Sequence, residues 1–143
     1  MKKFLTILFS AVLFFGLGTG AFASDTSSSD EAKAYELIEK TNAKIADEID
    51  KAVEKSDKLY ADYLTSVEGL DASSEEYIKL TEKYNKQLDQ IVDKVYNKTF
   101  DMTADAIEKA AELGVEAECE WILVRFGDRD VWIDPIRVVP CCD

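Results

Sequence analysis

Gly69-Leu70-Asp71-Ala72-Ser73-Ser74-Glu75-Glu76 is the stretch on which the reading of the fold turns. Upstream of it a helical pattern begins after Ser29 or Asp30, either of which suits an N-cap. Tyr35, Ile38, Ile45, Ile49, Ala52, Ser56, Leu59, Tyr63 and Val67 recur at steps of three, four and seven. That spacing gathers them on one side of a helix, with Glu, Lys and Asp on the other. Gly69 interrupts the pattern. Ser73 and Glu76 then stand three apart, the spacing at which a hydroxyl and a carboxylate satisfy each other's free backbone N–H groups in a capping box. Downstream, Tyr77, Leu80, Tyr84, Leu88, Ile91, Val95, Met102, Ala106, Ala110 and Leu113 form a second one-sided pattern. Gly114 closes it as a left-handed residue does, with Val115 placed for the apolar contact that accompanies such a stop. Thr99 to Thr103 is its weak point, where Asp101 or Thr103 is placed to cap a separate third helix.

Each pattern spans about 57–60 Å at 1.5 Å per residue. Equal lengths and a short linker predict an antiparallel helical hairpin over residues 31–114, with two helices, or three if the second breaks. Asn42, Ser56 and Thr81 interrupt the apolar stripe, so this coiled-coil-like pair is not a strict leucine zipper. Two helices alone bury little surface. The hairpin is therefore expected to lean on the C-terminal region or on another chain, self-association included. All the tyrosines fall in this hairpin, and Tyr60, Tyr63 and Tyr77 gather near its tip. They are binding candidates, because tyrosine joins apolar area to a hydrogen-bonding end. The plainer expectation is a seam whose hydroxyls reach water at the edge.

Beyond Gly114 the chain changes character: both prolines, both tryptophans and all three cysteines lie there. β-Branched and aromatic residues flank Gly127-Asp128, which suits a tight hairpin turn. Placing that pair in the turn sets Phe126 opposite Arg129, Arg125 opposite Asp130, Val124 opposite Val131, Leu123 opposite Trp132 and Ile122 opposite Ile133. One face then carries Ile122, Val124, Phe126, Val131 and Ile133, and the other Cys119, Trp121, Leu123 and Trp132, with opposite charges paired at Arg125 and Asp130. Pro135 is expected to end the ladder or place that strand at an edge, and Ile136 to Val139 reads as a resumed short extended piece. The fold class is thus mainly α with a small β element. One face of the hairpin must pack on the helices, since a two-stranded ribbon is marginal in water. The tryptophans are expected to lock a small core; a Trp121/Trp132 face left in solvent would instead be the leading binding site.

Function is bounded more by exclusion. Lys2 and Lys3, an apolar run from Phe4 to about Leu17, and Ala21-Phe22-Ala23 have the order of a secretory signal, cleaved after residue 23. The run is too short for the ~20 residues a spanning helix needs, so no stable membrane insertion is expected after cleavage. Residues 24–30 read as a flexible polar start. Losing the two leader lysines moves the net charge from −12 to about −14, which disfavours nucleic acid and anionic lipid as partners. Three cysteines in an oxidising compartment predict a C-terminal segment, 115–143, tied by a disulfide from Cys119 to Cys141 or Cys142. The chain has no histidine, which removes the commonest general base and metal ligand. With no P-loop or dinucleotide fingerprint either, no catalytic residue, metal site or cofactor is expected. The leading expectation is a small secreted protein that binds another protein or the cell envelope and is not an enzyme. The alternatives are a thiol–disulfide protein using Cys141 and Cys142, or an acidic cation-binding protein.

Overall fold

The computed structural model describes residues 27–139. The expected leader over 1–23 and the tail cysteines Cys141 and Cys142 lie outside the described residues. Two long helices, α1 (Ser27–Val67) and α2 (Glu75–Glu112), are followed by four short strands: β1 (Ala117–Cys119), β2 (Ile122–Phe126), β3 (Arg129–Ile133) and β4 (Ile136–Val138). The helices form an antiparallel hairpin. Near the tip Tyr63 meets Thr81 at 3.0 Å, midway Lys98 meets Glu48 at 2.7 Å, and towards the open end Ile38 packs with Ala106.

Three local details depart from the sequence pattern. The first helix starts at Ser27 and takes in residues assigned to a flexible start; no glycine or proline stands there to stop it. The cap of α2 lies one residue later than expected. The Asp71 carboxylate accepts from both the Ser73 N–H (2.8 Å) and its hydroxyl (2.7 Å), which spends Ser73 outside the helix. Ser74 is the N-cap instead, accepting from the Tyr77 N–H at 3.2 Å, so the Ser73/Glu76 capping box does not form. Finally, α2 runs unbroken through Asp101, so the separate helix expected from the Thr99–Thr103 stretch does not form. The Thr99 and Thr103 hydroxyls are turned to other work, described below. The far end of α2 is as expected: Gly114 has φ +83°, its N–H donates to Ala111 O (3.0 Å), and the Val115 N–H donates to Ala110 O (2.9 Å). Val115 is buried beside Ala110, completing a Schellman stop.

The strand register is the one predicted, pair for pair, from Ile122–Ile133 to Phe126–Arg129. It continues past the break, because β1 and β4 pair as Ala117–Val138, Glu118–Arg137 and Cys119–Ile136 with no residue inserted on either arm. The strands are thus one ribbon interrupted in the middle. Bonded and non-bonded pairs alternate along an antiparallel ladder, and the pair flanking a two-residue turn is bonded. Counting back from the turn, Glu120 and Pro135 form a bonded pair. The Glu120 N–H does donate to Pro135 O at 2.7 Å, but proline has no N–H to return. The ladder fails there for that reason.

At this break the ribbon changes the face it turns to the helices. On the turn side Phe126 and Ile133 are fully buried, joining Ile45, Ile49, Tyr84 and Leu88. Beyond Pro135 the opposite parity is inside: Ile136 packs with Ala34, Ile38, Ala106 and Ala110. Ile133 and Asp134 are consecutive and both fully buried, which a regular strand packed on one face does not allow. Between the two apolar clusters lies a polar belt. The Thr103 hydroxyl donates to Asp134 O at 2.6 Å. The Asn42 amide donates to Ile136 O (2.8 Å) and accepts from its N–H (2.9 Å). By the ladder's parity, Asp134 and Ile136 belong to non-bonded pairs, so their backbone groups face the ribbon's edge. The helices cover that edge with side-chain bonds, as a further strand would do with backbone ones.

Candidate functional site

Among the described residues, the face swap leaves an apolar surface of the ribbon without cover. Leu123 and Trp132 are directly opposite in the ladder, and Trp121, just ahead of β2, is exposed like them. The side chains of Trp121, Leu123 and Trp132 are 48%, 54% and 56% exposed, in the same ribbon whose other side holds Phe126 and Ile133 at 0%. Ile122, on the other face at the far end of β2 from the turn, is also exposed. Arg125 and Asp130 bound the uncovered surface towards the turn as the expected pair, at 3.5 Å.

The tryptophans therefore do not lock a small core as expected. Phe126 and Ile133, with Val124 and Val131 beside them, already fill the space over the helical seam. The returning segment β4 pairs with β1 and packs on the helices beyond Pro135, and so never folds back over the tryptophans. Sequence parity separated the two faces correctly. It did not reveal which was inside, because both are apolar.

The tyrosine candidates fall elsewhere and behave as a seam. Tyr63 stacks on Tyr84 with ring centroids 4.5 Å apart, Tyr60 lies 5.8 Å from Tyr84, and the Tyr63 and Tyr77 hydroxyls meet at 3.5 Å. Tyr84, not singled out from the sequence, is the buried member. Its hydroxyl donates to the Asp128 carboxylate at 2.5 Å and so braces the ribbon's turn. Burial first, and then the hydrogen bond to Asp128 and that carboxylate's charge, push the phenol well above its ordinary pKa. These rings hold the turn against the helices, some distance along the ribbon from the tryptophans.

Cys119 is half-buried in β1. Burial, then the negative charges of Asp134 and Glu118, push its thiol above the ordinary range, the opposite of what a nucleophilic thiolate requires. Its expected partners, Cys141 and Cys142, lie outside the described residues. Asp134 is fully enclosed. Its Oδ1 accepts from the Thr99 hydroxyl at 3.4 Å, while Oδ2 has no partner among the described residues. Burial raises its carboxyl pKa, against a weaker pull downward from its own backbone and Thr99. Among the described residues no helix is long and apolar enough to cross a membrane, and no three of His, Cys, Asp and Glu gather as a metal site would require.

The flank of the helical pair away from this face holds a groove of about 570 Å³ lined by side chains of α1 and α2 alone. Nothing in the sequence reading pointed to it. Compared with known proteins, the chain matches no protein family, and neither a curated protein nor a solved structure is significantly similar to it, so the reading of its surfaces rests on their own geometry.

Proposed function

We propose that this chain is a small exported binding protein that engages another protein or a component of the cell envelope through Trp121, Leu123 and Trp132. The observation that carries the reading is the exposure of two tryptophans and a leucine on a ribbon whose other face buries Phe126 and Ile133 against the helices. Large aromatic side chains on a rigid support lose little entropy on binding and dominate the energy of protein interfaces. The ribbon is held at its turn by Tyr84 and at its edge by Asn42 and Thr103, so the face is presented preorganised. The signal-like leader supports export, with a partner met outside the reducing cytosol.

The test is site-specific photo-crosslinking in cells that secrete the full chain. A benzophenone amino acid at Leu123 should give a discrete crosslinked species in the extracytoplasmic fraction. A probe at Glu54, on the exposed side of α1, should not, and Trp121→Ala/Trp132→Ala should abolish the product. Equal crosslinking from both positions, or none from Leu123, contradicts the proposal.

A further inference from the structure

The groove on the other flank gathers positive charge around apolar surface in an otherwise acidic molecule. Its floor is formed by Ala52, Leu59, Ile91 and Val95. Lys51, Lys55 and Lys58 stand along one bank at successive turns of α1, and Lys94 and Lys98 along the other. One end is neutralised within the protein: Glu48 bridges Lys98 at 2.7 Å and Lys51 at 3.6 Å. Lys55, Lys58 and Lys94 have no carboxylate within 4.0 Å among the described residues. These three lysines, without an ion pair among the described residues, thus frame an apolar trough in a chain whose net charge is −12.

We infer that this groove seats an acidic amphipathic helix of another protein, which completes a three-helix bundle with α1 and α2. From Glu48 to Asp62 the trough runs along α1 for about 21 Å at 1.5 Å per residue. That is roughly four turns of a docked helix, whose apolar stripe meets the floor by the helix-in-groove mode. Lys55 and Lys58 extend the charge along the α1 bank, while the α2 bank is charged at the Glu48 end by Lys94 and Lys98 and neutral at Gln87 and Gln90; this fits a ligand with carboxylates on both sides of its stripe at that end. A single-headed anion would use one or two lysines and leave the rest. A phosphate polymer would gain nothing from the apolar floor and would be repelled by the rest of the surface. The site shares no residue with the tryptophan face and stands or falls separately from it.

The test uses the full chain and a synthetic helical peptide of about four turns with a leucine stripe flanked on both sides by glutamates. Isothermal titration should show binding that weakens with salt. Lys55→Gln/Lys58→Gln/Lys94→Gln should weaken it about tenfold or more, the matching arginine variant should retain it, and Trp121→Ala/Trp132→Ala should leave it unchanged. All three lysines are exposed, and unchanged melting by circular dichroism would show that the glutamine variant is folded. Several results would overturn the inference: no binding of the peptide, equal binding of a lysine-flanked peptide, or indifference to the glutamine variant. So would dimerisation of the unmodified chain that the glutamine variant abolishes, which would give the seat to a second copy. Binding of palmitate but not of the peptide would give it to a lipid.

Discussion

Asn42 and Asp134 are both polar side chains taken into the contact between helices and ribbon, and they are treated in opposite ways. Asn42 makes two bonds to one backbone unit, meeting both the N–H and the C=O of Ile136. Removing it strands two backbone groups that no strand can reach, so Asn42→Ala should lower stability by about 1–3 kcal/mol in urea unfolding. Asp134 is left short of a partner, and its raised pKa has a definite consequence. A proton is held more tightly in the folded chain than in the unfolded one. Its stabilising effect is complete below the unfolded value of about 3.9 and is lost as pH rises through the higher folded value. Asp134→Asn should therefore be at least as stable as the parent at neutral pH and lose that advantage as pH falls towards 4. The difference in urea midpoint between the two chains, followed against pH, isolates this group from the other carboxylates; a flat difference would refute the prediction. Neither role was legible in the sequence. Asn42 read only as a gap in an apolar stripe, and Asp134 as one acid among many, because each acquires its meaning from a backbone edge distant in the chain.

At the scale of elements, the turn of the ribbon is where backbone and packing demands coincide. Gly127 has φ +59°, and a Cβ built there would stand 3.0 Å from the Tyr84 hydroxyl and 3.3 Å from both Ser56 O and Tyr60 Cβ. Gly69 has a comparable φ of +78° with open space around it. An L-residue in this region costs about 1–2 kcal/mol, and this should be the whole effect of Gly69→Ala. Gly127→Ala should cost distinctly more, since the neighbours it meets include helix backbone. Thermal melts of the two variants compare these terms directly. The helices, their linker and every pair of the β2–β3 register could be read from the sequence, because periodicity and turn chemistry are local. The capping residue was misplaced by one because Asp71 competes for Ser73. The expected break in α2 failed because Thr99 and Thr103 serve the ribbon rather than a cap. Ser56 and Thr81 looked like flaws in the stripe; the first is fully buried under the turn, and the second meets the Tyr63 hydroxyl.

At the scale of the whole molecule, two helices too thin to hold a core by themselves are completed along one flank by the ribbon. The ribbon supplies Phe126 and Ile133 to one cluster and Ile136 to the other. Full burial of a side chain such as Phe126 contributes about 1.5–3 kcal/mol, enough for the ribbon to matter to the stability of the pair. The need for such support was evident from the sequence, but the direction of the ribbon's outer face was not. The lysine groove was hidden for another reason. Its lysines alternate with acids along each helix, and they converge only when the two helices are set side by side. Both of the chain's tryptophans report on which way the ribbon faces. Acrylamide quenching of tryptophan fluorescence in the dilute native chain should approach that of the chain unfolded in urea, with emission only slightly to the blue of it. Emission shifted far to shorter wavelength, with the quencher excluded, would mean that Trp121 and Trp132 are inside, and would contradict both the described packing and the binding face built on it.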